Sequence, residues 1–442
     1  MSLNDFLQTL SNAVGEKNSN TLEKCIILDP SEPSFQQLSK TLFLDRKGKN
    51  KLNGTIQKEF GRIRGWKELV TTYFEYVENA ASSPDQRKWE LLQNLYSNLT
   101  TCFSHIDGAW LCTIVKRVSK LYVKLSLQLD TSTPTLEDSF DGNGFIQRKY
   151  VSDASRNVLR MFNSILSDRQ QNINPSKKDA IFCIANLLCL LYFRLKQIRL
   201  CQTIQANVIS SGADISRATM AELVTFRYYL GRCHLYQHKI HQAKDHLLFS
   251  FLQCPDECYH QKRLSLIYLT TCLLILGKSP TKGLLEKYKL TAAFEPLIKA
   301  LKSGDIKSFR LSLEDNSRRK WFIKRGIYLT LLDRCEIILW RNLFRKVFLF
   351  TFEQSQKTPH VSGSYLLTAA RLSTSDNSYD MDDVECICVS LIDQGYIKGY
   401  IIHASSTLVL KKDPSFGFSV IESLMPIARN DHAEKEFFHA NA

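Results

Sequence analysis

Glycine and proline are too scarce in this chain to turn a sheet-rich fold, with 18 Gly and 11 Pro in 442 residues. An all-β protein needs turn residues roughly every 8 to 12 positions, so the long stretches free of both read as helix. Hydrophobic residues make up 44% and charged residues 23%, the proportions of a folded globular chain and far from those of a disordered one. The length allows two or three domains or one continuous helical array.

The N-terminus, Met1 to Leu10, holds Asp5 and lacks an apolar core of signal-peptide length, which argues against secretion. The thirteen cysteines, most of them inside apolar helical patterns, then read as buried reduced thiols, and the sequons at Asn53 and Asn98 carry no meaning. The richest apolar run, Ala180 to Leu195, is interrupted by Asn186 and Arg194 and is short for a bilayer span. A soluble, intracellular chain without membrane insertion is expected.

The first hundred residues are irregular in pattern, with a basic connector from Asp45 to Lys51 and a loop at Ser82 to Asp85. From Trp89 to Leu129 apolar residues recur at steps of three and four, the mark of an amphipathic helix pair. Asp130 to Gly144 reads as a long surface loop. Between Leu223 and Pro255, Leu230-Gly231 is followed by Ala243, Leu247, Ser250 and Pro255, the small and bulky positions of a tetratricopeptide-like helical hairpin. No second good copy stands at the repeat distance, so one hairpin is legible within a degenerate array. Three helices follow, Asp333 to Phe352, Ser364 to Leu372 and Met381 to Gln394. The period then changes to two, predicting strands over Tyr396 to His403 and Thr407 to Lys412. Helix, helix, helix and hairpin is a winged-helix order.

No phosphate loop, nucleophile elbow, zinc-protease helix or dinucleotide fingerprint is present, and no catalytic residue or cofactor is expected. His234, His238, His241 and His246, with Cys233, Cys254 and Cys258, are dense enough to suggest zinc. The hairpin places its turn near His238 to Ile240, however, so these histidines divide between two helices and no metal site is expected. Cys386 and Cys388 point in nearly opposite directions on a helix, which leaves Cys388 to the core.

Charge carries the functional signal. The net charge is +14, and from Lys299 to Lys346 thirteen Lys or Arg face five Asp or Glu. Such a cluster, Arg318, Arg319, Lys320, Lys324, Arg325, Arg341, Arg345 and Lys346, can neutralise phosphates while Trp321, Phe322 and Trp340 offer faces to bases. The alternative is that the aromatics are core and the charges a solvated face. The third helix opens with Asp380, Asp382, Asp383 and Glu385, carboxylates that repel a phosphate-lined groove. Nucleic-acid contact is therefore expected from the basic cluster and the wing lysines Lys398, Lys411 and Lys412. Protein docking is expected on the acidic side, at Asp382, Asp383, Glu385, Tyr396 and Tyr400.

Phe226 to Arg232, Lys262 to Tyr268, Leu276 to Thr281, Arg341 to Val347, Asp383 to Ile387 and Gly395 to Ile401 resemble the PCI-domain family. Within it they resemble the subfamily of the TREX-two mRNA-export PCI subunit and the twelfth-subunit-like protein of the COP-nine signalosome. The resemblance runs from Arg217 to Lys412 and adds almost nothing over the first 150 residues. It implies an all-α fold, a right-handed helical-hairpin (TPR-like) array capped by a C-terminal winged-helix subdomain. The expected division is an N-terminal helical region at 1–150, helical repeats at 151–218, a helical subdomain at 219–331, a winged helix at 332–413 and a tail at 414–442. The resemblance further implies a non-enzymatic scaffold in the nucleus or at the nuclear pore, with some in the cytoplasm. Its implied partners are a second, larger PCI subunit, a small acidic disordered protein of the DSS/Sem type, and RNA or DNA. Both branches of the subfamily share the matching motifs, so an assembly subunit acting by protein contacts alone stays open.

Overall fold

The computed structural model describes residues 3–44, 49–63, 65–132, 148–168, 175–352, 358–424 and 437–438. They divide into two compact units, residues 1–229 with 430–442, and residues 230–429. Among the described residues the protein is mostly helical, and none of the helices is long and apolar enough to cross a membrane.

The first unit is helical from its start, through Leu3–Gly15, Ser19–Cys25, Pro33–Leu44, Lys49–Phe60, Trp66–Asn79, Asp85–Ser104, Cys112–Ser132, Lys149–Leu166, Ile181–Arg194 and Ile198–Ser210. The irregular pattern of its first hundred residues hides a core of rings with polar handles. Tyr73 donates its hydroxyl to the Cys25 carbonyl at 3.0 Å and accepts the Ile27 N–H at 3.0 Å, pinning a non-helical segment. Tyr96 and Tyr122 stack at 4.9 Å, and each phenol oxygen accepts a hydrogen bond, from Ser119 and Asn157 respectively. The first three residues of the expected Asp130 to Gly144 loop are helical, since Cys112–Ser132 runs through them, and the rest of it lies outside the described residues. Ile181–Arg194 is buried nearly all round, as a helix apolar on every face must be. Its Asn186 donates to the Glu222 carbonyl at 2.8 Å, so the polar interruption is satisfied in the core.

Helical hairpins recur although their sequence signature does not. Lys17, Lys196, His238 and Lys289 each adopt φ between +51° and +60° at the end of a helix. Following residues then bond back across the last turn, as Gln197 N–H does to the Tyr192 carbonyl and Lys239 N–H to the His234 carbonyl, both at 2.9 Å. This is a left-handed helix cap that normally carries glycine. Lys or His in its place erases the sequence signal while the turn persists.

In the second unit Ile240–Gln253, Tyr259–Ile275, Lys282–Lys287, Thr291–Ser303, Ile306–Glu314, Asn316–Arg325 and Tyr328–Thr351 precede the winged helix. Gly231 holds the legible hairpin closed, because a Cβ there would lie 2.6 Å from the Leu247 side chain. Tyr328–Thr351 is the central helix of this unit, burying Leu331, Cys335, Ile338, Leu339, Phe344 and Phe348 along one stripe. The winged helix adds β1 (His360–Ser362), Gly363–Thr374, the acidic helix Met381–Asp393, β2 (Gly399–Ile402) and β3 (Thr407–Leu410). The strands form an antiparallel sheet in the order β1-β3-β2, with Val361 opposite Leu408 and Gly399 opposite Leu410. β1 escapes the sequence because three residues cannot display a period.

Candidate nucleic-acid interface

The basic cluster stands on the short helix Asn316–Arg325 and on the long helix Tyr328–Thr351, and the short helix Ile306–Glu314 leads into them. Asp305 and Asp315 start the two short helices by accepting the N–H groups of Ser308 and Arg318 at 2.9 and 3.1 Å, and Gly326 ends the second at φ +70°. Two of the three aromatics of the cluster face inward. Phe322 is fully buried, Trp340 is buried, and Trp321 and Phe322 meet the Phe294 ring edge-on at 6.0 and 5.6 Å. Of the two readings of these rings, burial favours core for Phe322 and Trp340, while Trp321 is half-buried with the Arg325 guanidinium over its ring.

The cations separate into engaged and available groups. Arg318 lies 3.4 Å from its capping Asp315. Arg325 donates to the Trp321 carbonyl at 3.0 Å and spreads over that ring at 3.6 Å. Arg341 turns inward, donating to the Ser419 carbonyl at 2.9 Å and to Asn342 Oδ1 at 3.0 Å. Burial, and then the charge of Arg345, push its guanidinium down to about 10. As a phosphate ligand Arg341 is therefore corrected to a residue that ties the central helix to the segment after the wing. Arg319, Lys320, Lys324, Arg345, Lys346, Lys398, Lys411 and Lys412 are exposed, and none forms an ion pair among the described residues.

Five of these stand on segments that meet at the wing base. Lys398 donates its N–H to the Gly417 carbonyl at 2.7 Å and accepts the Lys411 N–H at 2.8 Å, so three chain segments meet there. Phe348, on the helix that carries Arg345 and Lys346, packs against Phe416 and Phe418 at 5.4 and 6.0 Å. Phe416 to Ser419 is thus bound into the winged helix, although the sequence placed it in the tail. Its signal was the cluster Phe416-Gly417-Phe418, two rings around a glycine at φ +73°.

On the acidic helix most carboxylates are already employed. Asp380 and Asp383 form a reciprocal cap, each accepting the other's N–H at 2.9 to 3.0 Å. Glu385 holds the wing turn, accepting from Ser406 Oγ at 3.0 Å and lying 2.7 Å from His403 Nδ1. Asp382 and Tyr400 remain exposed for a partner, whereas Tyr396 is 4% exposed. The placement of Tyr396 on a docking face is therefore corrected; its ring is buried beside Arg334 and Cys335 of the helix Tyr328–Thr351.

The Glu385 contact has a pH signature. His403 is held above its ordinary value of 6.5 by the Glu385 hydrogen bond, and Glu385 below 4.5 by His403 and Ser406. A raised histidine contributes fully below 6.5 and loses its contribution as pH rises through its folded value, while a depressed carboxylate contributes above 4.5 and fails as pH falls. The wing turn is therefore held best between about pH 4.5 and 6.5. Titration of the His403 ring by NMR should give a midpoint above the free-histidine value that falls back in Glu385→Gln. A midpoint indifferent to that substitution would remove the contact.

The histidine-rich hairpin departs from expectation in one respect. His234 and His246, assigned to different helices and different faces, stack at 5.4 Å across the turn. No group of three metal-ligating residues forms among the described residues. Cys386 is exposed and Cys388 buried, its thiol pushed up to about 12 by desolvation.

A helical-hairpin array that ends in a winged helix of this order defines a PCI-type module, and the PCI domain family model matches residues 307–412. The chain belongs to the PCI-domain proteins. It is 99% identical over all 442 residues to a PCI domain-containing protein of Schizosaccharomyces pombe, with both chains covered completely. It is 34% identical to PCI domain-containing protein 2 of Xenopus laevis, covering 76% of this chain and 81% of the relative. Protein CSN12 homolog of Neurospora crassa is 27% identical over 94% of this chain and 99% of its own.

Proposed function

We propose that this chain is a non-enzymatic scaffold subunit of a nuclear PCI complex of the TREX-two type, coupling transcription to mRNA export. It pairs its winged helix with that of a second, larger PCI subunit, takes a small acidic disordered DSS/Sem-type protein on its helices, and meets RNA or DNA through the wing base. The observation that supports this most is the group of exposed cations Arg345, Lys346, Lys398, Lys411 and Lys412, which form no ion pair among the described residues and stand on segments that meet at one structural junction. Cations outside ion pairs keep their attraction for phosphate and lose it in salt. Arg319, Lys320 and Lys324 extend the same surface, and its place of action is the nucleus, at the nuclear pore, with a cytoplasmic fraction.

A second reading, a signalosome-associated or transcription- or splicing-linked assembly subunit acting through protein contacts alone, draws on the nearly full-length similarity to the CSN12 homolog and on the exposed Asp382, Val389 and Tyr400. Affinity purification of the tagged chain from nuclear extract separates the two. Recovery of one larger PCI subunit in stoichiometric yield, with RNA, is expected. Signalosome subunits in its place would overturn the export reading in favour of the second.

A further inference from the structure

The last described residues, Phe437 and Phe438, sit in the first unit as guests. Phe438 is 8% exposed, although no other large apolar residue stands beside the pair in sequence, with Ala433-Glu434-Lys435-Glu436 before it and His439-Ala440-Asn441-Ala442 after it. The host is built by two helices, Ile181–Arg194 and Met220–Tyr236, whose Phe182 and Phe226 meet edge-on at 5.3 Å. Phe437 lies 6.4 Å from Phe182, and Phe438 lies 6.5 Å from Phe226. The Arg227 guanidinium carbon stands 3.5 Å from the centre of the Phe438 ring. A cation over the ring face and aromatic neighbours at its edges supply directional attraction as well as buried area. Two consecutive rings in a polar segment make a peptide motif, since such a segment has too few apolar residues to form a core of its own.

We propose that Phe182, Phe226 and Arg227 form a docking site for a peptide with two consecutive aromatic residues preceded by acidic ones, and that the chain's own C-terminus fills it in cis. The tether holds the tail at an effective concentration on the order of millimolar. A partner peptide with the same chemistry therefore competes with the tail and docks only when it binds more tightly or when the tail is released. Glu434 and Glu436 give the motif its acidic flank, of a sign that suits Arg227.

The test uses a fluorescent peptide of residues 431–442 and the full-length chain. Anisotropy should detect binding to the F437A/F438A chain at least about tenfold tighter than to the intact chain, with loss of that binding when R227A is added. Equal binding to both chains, or binding to neither, would overturn the proposal. Should the double variant fail to fold, trypsin reads the same contact in the otherwise intact chain. Cleavage after Lys435 should quicken about tenfold in R227A as the docked fraction falls, and an unchanged cleavage rate would also overturn it.

Discussion

Replacing Gly304 by valine is expected to destabilise the second unit by about 3 kcal/mol, the sum of a left-handed backbone and an overfilled contact. Gly304 ends the helix Thr291–Ser303 at φ +70°, and a Cβ there would lie 2.8 Å from both the backbone nitrogen and Cα of Leu343. Neither obstacle can move aside, because Leu343 belongs to the central helix. The Gly304 carbonyl also accepts from Ser373 Oγ at 2.7 Å, and that hydroxyl receives the Ile306 N–H at 3.0 Å. One glycine thus fixes the approach of the helical array to the central helix and to the winged helix. Thermal unfolding followed by circular dichroism should show a transition about 10 °C lower. An unshifted transition would mean that this crossing is loose.

The second large effect is expected at Phe348. Truncation to alanine should cost about 4 kcal/mol, the usual loss for a fully buried ring in a cavity that cannot collapse. Phe348 touches Phe352, Phe416 and Phe418, so it anchors the segment that passes beneath the wing. With that anchor gone, the bonds from the Lys398 N–H to the Gly417 carbonyl and from the Ser419 N–H to the Tyr396 carbonyl should open, and hydrogen exchange at both amides should accelerate. Phe350, two residues away and 88% exposed, serves as the contrast. Its alanine variant should stay within about 0.5 kcal/mol of the parent. Equal losses at the two positions would contradict the packing described for this helix.

The winged helix was readable because each of its signals is local. An aspartate cap, an apolar stripe on Met381–Asp393 and a change of period at Gly395 lie within a few residues of the elements they specify. What escaped depends on contacts distant in sequence. β1 exists because Val361 finds Leu408, and Phe416 to Ser419 joins the wing through Tyr396, Ile397 and Lys398. The hairpin turns escaped for another reason, since Lys196 and His238 occupy left-handed caps where glycine would have announced them. At the candidate site, composition located the cations without orienting them. Arg341 and Arg345 are one turn apart in the same basic run, yet one guanidinium bonds a buried carbonyl and the other faces solvent. The acidic run misled in the same manner, because Asp383 and Glu385 are occupied with a helix cap and the wing turn.

The wing base as a phosphate-binding surface is tested most directly by the salt dependence of single-stranded RNA binding. Five contacts should contribute a slope of about −3.5 in log affinity against log salt, at roughly 0.7 per phosphate. Reversing the charge of Arg345, Lys346, Lys398, Lys411 and Lys412 together should remove most of that slope and the affinity with it. A chain with all five reversed that binds RNA with the parent slope would contradict the account.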